Sequence, residues 1–443
     1  MPQPEMMAIG DSLYNGVRSL TITRDLAKWS VPAQVANALN IPFVLPDYAR
    51  NVVVDMERWL RMFPDIPAIA KDVADNVNFW LSQPHSSAGA SEFDNIAIAS
   101  TTFDDMTSRT WRTAQAEIDA LVAQYGDRIG SLGRQLGDLF FAFNTRFLLN
   151  PAADPAAPAE TSLQIVARRK PKRLLVSIGS NNGLWSMCFD AVDGGFGPTD
   201  LAQLKAFVTA LRGLPPEVEH IYVNALALPS TVSNLMPIPD YSENNKPAPG
   251  AYFANYENRF GFAYGALTGA EVAQLDARVG QINAMIATEA SVDRRIHVVP
   301  LDRLLKDYDR KHSSAASVVV PSDGKTLSNV MTEAAPWPFP HFRSGGLQGL
   351  DGMHPTMVGY ALAAGKVLEA IQQFEGIAAP VPNIDAAYSA DSLLQSVPRP
   401  WDIVLWAWRD IRRARAHPGT PQPEGLQESA TEAFMDAIQF KKD

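Results

Sequence analysis

A chain of 443 residues, 46% hydrophobic and 19% charged, has the make-up of a folded globular protein, in one large domain or a few smaller ones. Its formal net charge of −10 argues against a nucleic-acid binder, which needs a basic face, and gives no general attraction to anionic membranes. The one cysteine, Cys188, excludes an intramolecular disulfide and leaves the redox compartment open, and no run approaches the roughly eighteen apolar residues of a transmembrane helix.

In chain order, residues 1–10 lack a basic start and a long apolar run, so they do not read as a signal peptide. The cytoplasm is therefore the default location, with secretion open if the numbering begins at a processed end. Met6–Ile9 reads instead as a first core strand, followed by Asn95–Ile98, Arg173–Ile178, His220–Leu226 and Ile296–Pro300. Each has the consecutive apolar residues of a strand buried on both faces, and helical patterns lie between them, which points to a parallel sheet covered by helices. Asp104 and Asp105 are placed to cap a helix running toward Tyr125, and Leu132–Leu149 has an aromatic-rich apolar stripe. Pro151–Ala159 is an Ala/Pro-rich connector. Thr268 and Glu271 have capping-box spacing ahead of a helix toward Ala290, and Pro355 opens another with Met357, Val358, Ala361, Leu362 and Val367 on its apolar side. Met236–Tyr264, rich in Pro, Asn and aromatics (Tyr241, Tyr252, Phe253, Tyr256, Phe260, Tyr264), reads as an insertion. It follows a strand end, so its aromatics serve either as walls of a binding pocket or as a satellite core. Beyond residue 376 the chain turns Pro-rich and then offers a helix from Trp401 to Ala416.

Three clusters adjoin these strand ends. Gly10-Asp11-Ser12-Leu13 places a serine where a parallel sheet hands over to a helix, with Gly10 allowing a sharp turn. Ser12 there is either a nucleophile, its own N–H aimed at an oxyanion, or a helix cap. A serine nucleophile needs a histidine base held by a carboxylate. Seven histidines compete: His85, His297, His312 and His417 show no obvious companion, His220 opens a strand, and His341 sits among prolines. His354 stands three residues after Asp351, a spacing that brings both side chains to one face of a turn, unless Asp351 only caps the next helix. In Gly179-Ser180-Asn181-Asn182 an asparagine amide can donate to a developing oxyanion, or merely form a turn.

Taken together, the clusters resemble the GDSL/SGNH hydrolases, a family of serine esterases and lipase-like enzymes. Gly10-Asp11-Ser12-Leu13 is similar to their first block, Gly179-Ser180-Asn181-Asn182 to their third, and Asp351-Gly352-Met353-His354-Pro355-Thr356 with Gly359-Tyr360 to their last. The resemblance implies a flavodoxin-like three-layer α/β/α sandwich around a roughly five-stranded parallel sheet. It would span residues 1–375 with insertions about 40–92, 104–170 and 236–264, and 376–443 would be a helical extension packed on the same domain. Two departures stand out. Ser100 falls where the second block carries a glycine whose N–H is an oxyanion donor, and Asn182 replaces the aspartate that often closes the third block.

The expectation is therefore an esterase with Ser12 as nucleophile, His354 as base, Asp351 orienting it, and Ser12, Ser100 and Asn181 as the oxyanion hole. It needs no cofactor or metal, and its partner is a small-molecule ester. An acyltransferase with the same triad, and a non-catalytic binding protein on the same fold, are the alternatives. The basic run Arg168–Arg173 reads as a solvated strand entrance. Trp401, Val404, Trp408 and Ile411 read as packing against the domain or docking on a membrane surface. Cys188, without a flanking histidine, carries no thiol or metal role.

Overall fold

A computed structural model describes residues 3–126, 135–184, 198–238, 245–248, 250–259, 266–334, 342–398 and 401. Strands β1 (Met6–Gly10), β2 (Arg173–Ser177), β3 (His220–Asn224) and a later strand, Ile296–Val299, form a four-stranded parallel sheet in that order. The register sets Gly10 beside Ser177 and Val223 beside Val298. All residues of β1 and β2 are buried, which explains their unbroken apolar character.

The alternation of side chains serves two cores. Met7, Ile9, Leu174, Val176 and Val223 pack under helices Trp111–Tyr125, Gln135–Leu149, Pro198–Arg212 and Gly269–Ala290. Met6, Ala8, Leu175, Tyr222 and Val299 face helices Val31–Leu39 and Met357–Glu375. Helices thus cover both faces, and the parallel direction brings the ends of all four strands to one edge. From that edge leave the segments holding Ser12, Asn181, Leu226 and Leu301.

Several expectations need correction. Asn95–Ile98 is not a full strand: it runs beside β1 with Ile96 and Ile98 N–H donating to Ala8 and Gly10 carbonyls, but forms only one bridge, Ala8 to Asn95. The Asn95 side chain accepts from Ala97 N–H at 3.2 Å, a local bond that competes with the ladder. The helix expected from Asp104 breaks into Asp105–Ser108 and Trp111–Tyr125, the second opened by a capping box between Thr110 and Thr113. The last long helix is capped by Thr356, not started by Pro355. The Thr268–Glu271 box opens its helix as read.

The insertion after β3 contains a small antiparallel sheet, β4 (Leu235–Ile238), β5 (Asn255–Asn258) and β6 (Ala266–Thr268), which makes the strand Ile296–Val299 β7. Phe253 and Tyr256 pack with Leu235 and Val272 into a core of their own, with Tyr252 against it, so these three do not serve as pocket walls. Tyr241, Phe260 and Tyr264 lie outside the described residues. Past residue 376, Tyr388, Leu393, Leu394, Val397 and Trp401 pack on Leu350, Met357 and Met331 of the main body. The rest of the helix expected from Trp401, and Cys188, His341 and His417, lie outside the described residues. Among the described residues, no helix is long and apolar enough to cross a membrane.

Candidate active site

At the end of β1 the chain turns through Gly10, at φ +130°, where an added Cβ would stand 1.8 Å from the Ser177 carbonyl oxygen. Only glycine permits that approach. Asp11 then takes the N-cap position, its carboxylate accepting from Leu13 N–H at 3.2 Å and from the Ser177 hydroxyl at 3.2 Å. Ser12 is the first residue of the helix Ser12–Asn15, so capping belongs to Asp11 and the serine hydroxyl is released from it. Ser12 Oγ lies 2.9 Å from His354 Nε2.

The histidine is held from behind. Its Nδ1 is 2.7 Å from Asp351 Oδ2, and Asp351 is completely buried. Oδ1 of the same carboxylate accepts from Met353 N–H at 2.9 Å and His354 N–H at 3.0 Å, and Oδ2 accepts from Leu20 N–H at 2.9 Å. Because a carboxylate only accepts, Nδ1 carries the ring proton and Nε2 is left to accept from the Ser12 hydroxyl. The tight turn depends on Gly352, φ +65°, where a Cβ would press to 2.8 Å against Asn234 N and Met331 Sδ. Asp351 is therefore committed to His354 and its own turn, while Thr356 caps the helix that follows.

Segment Arg18–Thr21 supports this acid, and the sequence reading missed it. Ser19 and Leu20 both adopt left-handed backbone, φ 51° and 55°. That geometry turns Leu20 N–H toward Asp351, and Ser19 Oγ accepts from Leu350 N–H at 3.0 Å. Arg18, buried, closes a fork on Glu57 at 2.7 Å and pairs with Asp391 at 2.8 Å. Burial alone would lower the Arg18 pKa, but the Asp391 and Glu57 carboxylates raise it and keep the guanidinium charged. Asp391 in turn accepts from Met357 N–H at 2.8 Å, the first residue of the helix after His354.

Ser100 sits at φ +70°, a left-handed position that ordinarily favours glycine. Asn181 Nδ2 donates to Thr101 O at 2.9 Å, tying the turn after β2 to the Ser100 segment. Asn182 accepts from Phe103 N–H at 3.0 Å and donates to Asp200 at 3.1 Å, so an aspartate in its place would face the Asp200 carboxylate. Burial pushes the Asp11 carboxyl up to about 6, against the lowering effects of Leu13 N–H, the Ser177 hydroxyl and the His354 ring.

Other polar features fall outside this arrangement. His312 has the companion that the sequence reading denied it: Asp309, again three residues earlier, lies 2.7 Å from its Nδ1. Its Nε2, however, meets Tyr256 OH at 2.6 Å, beside the satellite core. His297 also has a partner, His220, at 3.1 Å. The basic run is spent on carboxylates: Arg168 on Glu92 and Glu160, Arg169 on Asp94, Lys170 on Glu217, Arg173 on Glu375. Among the described residues no group of three or more histidine, cysteine or acidic side chains is placed to hold a metal ion.

Compared with known proteins, the chain matches no family model, no curated protein and no solved structure.

Proposed function

We propose that this chain is a serine hydrolase of the GDSL/SGNH kind that cleaves carboxylic esters. The observation that carries the reading is the buried line from Ser12 Oγ to His354 Nε2 at 2.9 Å and from His354 Nδ1 to Asp351 Oδ2 at 2.7 Å, at the carboxyl edge of a parallel sheet. The three-layer α/β/α architecture of that family is supported by helices on both faces, with Asn95–Ile98 as the irregular fifth element beside β1. A single hydrolase body with the segment after 376 packed on it fits the same reading.

In this mechanism His354 Nε2 takes the Ser12 proton as Oγ bonds to the ester carbonyl carbon. The negative charge on the carbonyl oxygen is received by the N–H groups of Ser12 and Ser100 and by the Asn181 amide. The intermediate collapses, the alkoxide leaves with the proton from His354, and an acyl group remains on Ser12. A water molecule, giving its proton to His354, attacks that acyl carbon, and the carboxylic acid leaves as Ser12 recovers its proton. Asp351 holds the ring tautomer and stabilises the imidazolium through both proton transfers.

Aryl ester hydrolysis by wild type and Ser12→Ala tests this. The variant is expected to lose on the order of 10⁴–10⁶ in rate with an unchanged thermal transition. Retention of more than about a tenth of the activity in a folded variant would falsify the assignment of Ser12.

A further inference from the structure

A pocket opens beside the triad between the sheet edge and the helix Met357–Glu375. Its walls include Leu13, next to Ser12; Met353 and Pro355, on either side of His354; and Ser180, next to Asn181. From there it runs to Leu301, Leu304, Leu305 and Ala363. The wall is mostly aliphatic, and its polar groups are largely engaged. The Ser177 hydroxyl donates to Asp11, while Gln348 accepts from Ser233 N–H and donates to Met353 O. The amide nitrogen of Asn224 is the exception. An apolar recess touching the neighbours of nucleophile, base and Asn181 has the place and chemistry for the carbon chain of an acyl group.

Its size narrows the class. The recess offers about 90 Å³, room for a handful of water-sized groups at about 10–15 Å³ each. Beyond it lies a second cleft of about 450 Å³ with charged groups, Asp307, Lys366 and Glu369, on its wall. Leu304, Tyr308 and Leu362 line both spaces and so stand as the partition between them.

We infer that this recess is the acyl-binding site, that it selects short aliphatic acyl groups, and that the Leu304–Tyr308–Leu362 partition sets the length limit. The inference rests on the esterase reading above. Acetyl, butyryl, hexanoyl and decanoyl aryl esters, compared by kcat/KM, test it with two opposite substitutions. Wild type should prefer the acetyl and butyryl esters to the decanoyl ester. Ala363→Phe, which fills the recess, should lower butyryl relative to acetyl hydrolysis by about tenfold or more, since one methylene in an apolar pocket carries such a factor. Leu362→Ala, which opens the partition, should raise decanoyl relative to acetyl hydrolysis by a similar factor, a gain that misfolding cannot produce. Acetyl ester hydrolysis serves as the folding control in both proteins. If both variants kept the wild-type ranking, the recess would not be the acyl site while the esterase reading stood. If wild type hydrolysed no ester, acetyl included, that reading would fall and the role of the recess with it.

Discussion

Asp11 combines two demands that conflict. It caps the Ser12 helix through Leu13 N–H, yet burial raises its carboxyl from 3.8 to about 6. The folded value lies above the unfolded one, so folding favours the protonated form. This contribution to stability is fully present below about pH 4 and is lost as pH rises through about 6. Asp11→Asn keeps an acceptor for Leu13 N–H without the charge. It is expected to be more stable than wild type at pH 8, by up to about 3 kcal/mol, with little difference at pH 4. Denaturant unfolding at the two pH values measures this, and an equal effect at both would show that Asp11 ionises as readily when folded. In the proposed mechanism the Asn181 amide receives the oxyanion, so Asn181→Ala should lower kcat by about 10²–10³ with little change in KM. Steady-state kinetics that showed a rise in KM alone would make it a substrate-binding residue. Both positions stood out because each sits in a short local pattern beside a strand end. Ser100 was singled out only through the family resemblance, and its φ of +70° is the kind of position that glycine favours.

Among the elements, the turn Arg18–Thr21 supports Asp351 from a distant part of the chain, and it left no trace in the sequence. Left-handed backbone at Ser19 and Leu20 is imposed by contacts, since neither residue favours it. The Arg18 pairs reach 39 residues to Glu57 and 373 to Asp391, separations at which no periodicity or spacing can report. Arg18→Met removes the cation that neutralises two buried carboxylates and is expected to cost about 3–5 kcal/mol. The thermal transition should fall accordingly, and a shift within error of zero would show that Glu57 and Asp391 find other partners. The broken helix near Arg109 was missed for a different reason. Its second part is capped by Thr110 with Thr113 in the place usually held by Glu or Gln, so the pattern did not stand out. The Asp309–His312 pair carries the opposite lesson. The spacing that marked His354 recurs there and makes the same ion pair, but Tyr256 closes the far nitrogen. Spacing identifies a dyad, and of the two it is His354, at the sheet edge, whose far nitrogen meets a serine hydroxyl.

At the scale of the molecule, strand polarity was readable because residues buried on both faces must be apolar without alternation, as β1 and β2 are. From parallel strands it follows that Ser12 and Asn181 leave one edge, although residue 12 and residue 181 are far apart in the chain. The insertion after β3 was harder: aromatics at a strand end suit either a pocket or a private core, and the pairing of β4, β5 and β6 decided for the core. In the proposed mechanism Ser12 is a nucleophile activated by His354, and reaction with a fluorophosphonate, followed by peptide mass spectrometry, is the decisive measurement. The expected result is one adduct, on the peptide containing Ser12, absent from Ser12→Ala and slowed by about 10³ or more in His354→Ala. No adduct, or an adduct elsewhere that persists in Ser12→Ala, would contradict it.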